Sequence, residues 1–173
     1  STAVDTALRT MQYLNNRRGL PEKKMIIARE KGYHGSTYLA HSVSGKDRDK
    51  SHFDFDTELV HFLPDVNPYC RPNGMSTQEW CDAKITDLQT AISELGADKI
   101  GAFIAEPILS SGGVIVPAAG YQKRTWEICR KNDILYSEIR PANKRYALVR
   151  INSEDYVVST KLMVLRILLG FLL

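Results

Sequence analysis

The residue types able to do chemistry fall in four places along this chain. Ser1-Thr2 opens a run of helical periodicity, Tyr33-His34-Gly35-Ser36 is an aromatic-His-Gly turn, Glu106-Pro107 closes an apolar run, and Gly112-Gly113 is a glycine pair. Hydroxyls at a helix start can receive an anion, because the first backbone N–H groups lack intrahelical acceptors and the helix dipole adds a positive field. They can equally serve as plain caps. A tyrosine beside a glycine offers a flat face where backbone passes close by, although such a sequence is also ordinary turn chemistry. A carboxylate at the end of a buried strand is costly unless paired or functional, so Glu106 is either a strand-end ion pair or part of a site. Neither GxGxxG nor GxxxxGK[ST] occurs, which removes the two nucleotide fingerprints.

Other chemistries are excluded by count and spacing. Cys70, Cys81 and Cys129 are an odd number with no CxxC pair, and His34, His41, His52 and His61 have no ligand-like spacing with them. That argues against a disulfide framework and a zinc site, and it suits a reducing, cytoplasmic setting. The net charge is only +3, and Lys46-Asp47-Arg48-Asp49-Lys50 alternates in sign, as a solvated loop does, so no nucleic-acid partner is expected. The apolar stretch from Leu162 to Leu173 is interrupted by Arg166 and too short to span a bilayer, so no membrane partner is expected.

The elements that must position these residues are legible from periodicity. Val4, Ala7, Leu8, Met11 and Leu14 predict a helix over about 3–16, with Ser1-Thr2 at the cap position. Met25 to Ala28 is a short buried strand, and Ser36 is the candidate cap of a helix running towards Val43. Residues 45–57 are irregular, Leu59 to Leu63 is a short strand, and 64–74 is a loop. Ser76 with Glu79 forms a capping box ahead of a long helix through Leu95, with Gly96 at its end. Ile100 to Ala105 reads as a strand covered on both faces, Tyr121 to Cys129 as a helix, and Ile134 to Tyr136 as a strand. Strands alternating with helices predict an α/β layer with a mostly parallel sheet. At 173 residues a single domain is the default, and beyond Tyr136 the alternation is lost.

Taken together, the order and wording of these segments resemble the class III, or omega-type, aminotransferases. The segments that carry the likeness are Ser1 to Leu8, Pro21 to Lys24, Tyr33 to Thr37, Phe103 to Pro107, Gly112 to Pro117 with Gly120-Tyr121, Trp126 to Cys129, and Asp133 to Tyr136. The resemblance implies the large domain of a fold-type I pyridoxal 5'-phosphate (PLP) enzyme, in part, over 1–136, with 137–173 a divergent tail. It implies a homodimer that moves an amino group from an amine or omega-amino acid to a 2-keto acid. Ser1 and Thr2 match the turn that binds the cofactor phosphate, and Tyr33 matches the aromatic lying against the pyridine ring. Gly35 matches the close backbone passage, His34 a residue able to orient ring or turn, and Glu106 a glutamate near the cofactor.

The chain departs from that pattern in three places. Leu109-Ser110 stands where the family usually carries Gln-Gly, and a leucine cannot supply an amide's hydrogen bonds. Tyr136-Ser137-Glu138 lacks the aspartate that faces the pyridine nitrogen in the family; Glu138 could substitute for it chemically but better matches the neighbouring glutamate. Lys161, after Val157-Val158-Ser159-Thr160, is the candidate for the family's cofactor-linking lysine, but Leu162-Met163-Val164 replaces the glycines expected behind it. The other reading of Lys161 is a solvated lysine beside an apolar segment. These departures keep a second function open: a non-catalytic or truncated relative that retains the fold for cofactor binding or dimerisation.

Overall fold

A computed structural model describes residues 1–132 and 134–138. Helix α1 (Thr2–Arg17) leads to strand β1 (Met25–Arg29), then to the short helix α2 (Tyr38–Ser42) and strand β2 (Val60–Leu63). Helix α3 (Thr77–Leu95), strand β3 (Ile100–Ala105), helix α4 (Tyr121–Lys131) and strand β4 (Leu135–Glu138) follow. The four strands form one parallel sheet in the order β2-β1-β3-β4. This is the α/β architecture of the sequence expectation.

Alternation along the central strands divides the sheet between two helical layers. Ile26 and Ala28 of β1, with Ala102 and Ile104 of β3, face Val4, Leu8 and Met11 of α1 and Ala40 of α2. Ile27 and Phe103 point the other way, onto Leu88, Ala91 and Ile92 of α3 and Cys129 of α4. All six residues of β3 are buried, as an apolar run covered on both faces requires. Gly101 is where α1 comes closest: a Cβ there would collide with the Met11 sulfur and lie 2.8 Å from the Lys23 carbonyl.

Two expectations need correction. The cap of α2 is Thr37, not Ser36, and its own side chain makes no cap bond. Asp5 of α1 does that work instead: its Oδ1 accepts the Thr37 hydroxyl at 2.7 Å and the Ala40 N–H at 2.8 Å. The last strand also runs past Tyr136 to Glu138, because Ser137 and Glu138 pair with Ile104 and Ala105. The capping box of α3 forms as expected, with Glu79 N–H donating to Ser76 Oγ at 3.2 Å and Ser76 N–H to Glu79 Oε2 at 2.7 Å.

Candidate functional site

From β1 the chain moves outward to β2, then returns to the opposite side of β1 to lay down β3 and β4. The switch point of this sheet therefore lies between β1 and β3. In open α/β sheets ligands bind outside the carboxyl ends of the strands at such a point. The loops leaving β1 and β3 carry Tyr33 and Glu106, and they meet there: the Tyr33 N–H donates to Glu106 Oε1 at 2.8 Å. Glu106 is buried, and burial pushes its carboxyl above the usual range against the pull of the Tyr33 N–H, Arg29 and Lys46.

The start of α1 packs onto the same turn. The Ser36 N–H donates to Ser1 Oγ at 3.0 Å, so the Ser1 hydroxyl ties α1 to the Tyr33–Ser36 turn rather than capping its own helix. Gly35 makes that approach possible. Its φ is 134°, and a Cβ would lie 2.6 Å from the Ser1 Cα. The Tyr33 hydroxyl and Ser36 Oγ share a hydrogen bond of 2.9 Å. Thr2 is exposed in the first turn of α1, beside the N–H groups that lack intrahelical acceptors.

Tyr33 is 37% exposed and borders an open cleft of about 220 Å³, shared with Ser36, His41, Lys46, Phe53 and Ser111. The Lys46 ammonium lies 5.6 Å from the Tyr33 ring centroid and is held by Asp49 at 2.8 Å. His34 turns away from this cleft. It is buried, its N–H donates to Ser44 Oγ at 2.9 Å, and burial together with Arg29 holds its imidazole down to about 3. It stays neutral at ordinary pH and orients the turn through its backbone.

Ser1, Thr2, Tyr33, Gly35 and Glu106 are thus brought together, with His34 packed behind them. Lys161 lies outside the described residues. Leu109, where an amide was expected, is fully buried in an apolar cluster with Val66, Ile85 and Ile115, and it pairs with Ile115 across a small antiparallel bridge. Two residues were missed by sequence reasoning. Arg29 is 1% exposed, donates to the Glu106 backbone carbonyl, and lies 5.8 Å from the Tyr121 ring centroid. Its signal was an arginine ending an otherwise apolar run. Lys46 gave none, because it sits in a stretch of alternating charge.

The family profile described as aminotransferase class-III matches residues 1–137. The chain belongs to this family. Among its relatives, the vanillin aminotransferase of Capsicum frutescens is 39% identical over 138 residues, 79% of this chain and 30% of that protein. The gamma aminobutyrate transaminase 3, chloroplastic, of Solanum lycopersicum is 37% identical over 142 residues, 79% of this chain and 26% of that protein. A crystal structure of the omega transaminase from Pseudomonas jessenii in complex with PMP superposes with a TM-score of 0.75 at 36% identity, covering 79% of this chain and 30% of that one. The chain therefore spans roughly a third or less of the length of these class III aminotransferases.

PLP, the cofactor that membership of this family implies, combines a phosphate with a planar ring, and the donor set suits both parts. Ser1 accepts the Ser36 N–H and so keeps its own O–H proton to donate, alongside the first N–H groups of α1. The Tyr33 ring stands beside them with part of its surface open. The Asp5 carboxylate, the acid in the first turn of that helix, is already taken by Thr37 and Ala40.

Proposed function

We propose that this chain forms part of the PLP-binding domain of an aminotransferase that passes an amino group from an amine or omega-amino acid to a 2-keto acid. The observation that carries the reading is the tether from Ser36 N–H to Ser1 Oγ, because it brings an anion-ready helix start beside the Tyr33 ring. When bound, PLP supplies the electron sink that lets an amino group leave one substrate and join another. Ser1, Thr2 and the first N–H groups of α1 hold its phosphate by charge-assisted bonds. Tyr33 offers its face to the ring, Gly35 keeps the turn close, His34 holds the turn from behind, and Glu106 fixes where Tyr33 stands. Lys161 is the candidate for the covalent link. Membership of this family supports a homodimer and a split into 1–136, the cofactor domain in part, and 137–173. A cytoplasmic setting remains our reading, and among the described residues no helix is long and apolar enough to cross a membrane.

Binding should be weak and reversible, since phosphate contacts and one stacked ring together fall far short of nanomolar affinity. Equilibrium dialysis against PLP tests this. Tyr33→Ala is expected to weaken binding by about threefold to tenfold, the worth of one stacked ring, and inorganic phosphate should compete. Binding indifferent to both changes would move the site elsewhere. Conversion of bound PLP to its amino form by an amine donor, followed by absorbance, tests the activity itself.

The second reading is a relative that keeps the fold and binds PLP without turnover. It is favoured by Ser137-Glu138, paired with Ile104 and Ala105, where the family's aspartate is missing. A borohydride-stable pyridoxyl adduct on Lys161 would dispose of it.

A further inference from the structure

We propose that Glu106 is a positioning residue that acts through Tyr33, its carboxylate oxygen fixing the backbone from which the ring projects into the cleft. The inference rests on the reading of Tyr33 as the cofactor-facing ring. Glu106 is 7% exposed, and its Oε1 accepts the Tyr33 N–H at 2.8 Å, so the loops leaving two neighbouring strands are joined at one atom. Gly32 lines the same turn: a Cβ there would press on the Arg29 carbonyl at 3.1 Å and on His34 Nε2 at 3.2 Å. Among the described residues, the ring end of Tyr33 meets the Ser36 hydroxyl and the Lys46 ammonium, both at the open cleft. Its backbone end is the buried one, and Glu106 holds it.

The reach of the Glu106 carboxyl and its charge can be tested separately. Arg29 donates from Nη2 to the Glu106 backbone carbonyl, while its buried Nε and Nη1 have no hydrogen-bond partner among the described residues. Arg29 and Lys46 also act on the Glu106 carboxyl through their charge, beside the Tyr33 and Ser110 N–H groups, but burial outweighs them. Positioning needs an acceptor oxygen at a fixed reach; charge balance needs only a carboxylate. Glu106→Gln keeps the oxygen and drops the charge. Glu106→Asp keeps the charge and draws the oxygen back by one methylene.

The decisive readout is the exchange rate of the Tyr33 backbone amide with solvent in the full chain, with the unfolding midpoint measured on the same proteins. Exchange is expected to rise about tenfold or more in Glu106→Asp, the loss of one hydrogen bond to a charged group, and to stay within about twofold in Glu106→Gln. The midpoint should hold or rise in Glu106→Gln, which removes a charge that burial disfavours, and fall in Glu106→Asp. A role through charge alone would keep protection in Glu106→Asp and lose it in Glu106→Gln. Protection kept in Glu106→Asp, or lost in Glu106→Gln, overturns the proposal. PLP affinity measured by dialysis should follow Tyr33 protection across the variants, and affinity that ignores it also overturns the proposal. A parent chain that binds no PLP counts against the proposed function instead, and the exchange rates still decide the role of Glu106.

Discussion

At the scale of single residues, His34 shows how burial changes a side chain's meaning. In sequence it stood beside Tyr33 as a candidate ligand-facing group; in the fold it lies behind the turn, held neutral with its value near 3. An unfolded chain takes up a proton on this imidazole near its ordinary value of about 6.5, while the folded chain refuses it. Stability is therefore intact above that value and falls as pH drops from about 6.5 towards 3, with a slope approaching about 1.4 kcal/mol per pH unit. Glu106 works with the opposite sign. Its raised carboxyl favours the fold in acid and loses that contribution as pH rises from the carboxylate range through its raised value. Urea melts between pH 7 and 5, compared with His34→Gln, separate the histidine from Glu106. His34→Gln should flatten the slope even if it lowers stability overall, and an unchanged slope would assign the acid sensitivity elsewhere. The types of the site residues were legible in sequence; the direction His34 faces was not, because only burial decides it.

At the scale of elements, periodicity and caps were good guides wherever the signal was local. Ser76 and Glu79 lie three residues apart, and both halves of their box form. The cap of α2 was misplaced because the acceptor that satisfies it is not local. Asp5, in another helix, satisfies Thr37 and Ala40 and so docks α2 against α1. Asp5→Ala should cost about 1–3 kcal/mol, the loss of two bonds to a charged group less their exchange with water. Asp5→Asn, which keeps an acceptor oxygen, should recover part of it. Chemical denaturation of the three proteins measures this, and equal midpoints for all of them would show that the docking does not depend on Asp5. The Leu109 departure has a comparable lesson. Sequence marked a lost amide, and the fold turns the same position into a core contact beside Ile115.

At the scale of the molecule, the alternation of strands and helices gave the layers but not the order β2-β1-β3-β4, since periodicity says nothing about which side of β1 the returning chain takes. That order puts Tyr33 and Glu106 in contact, and so it makes the site. It also sets a timetable for synthesis. β1, with Ile26, Ile27 and Ala28 fully buried, pairs Met25 with Ile100, so its second neighbour leaves the ribosome long after it does. At about 5–20 residues per second the wait is on the order of ten seconds. During that interval the nascent chain holds a hydrophobic strand with one side unpaired, which is the kind of surface that chaperones bind. Ribosome-arrested chains ending just before Ile100 should be cut by protease within β1, and chains extended well past Glu138 should be protected there. Equal cleavage at both lengths would mean that β1 does not wait for β3.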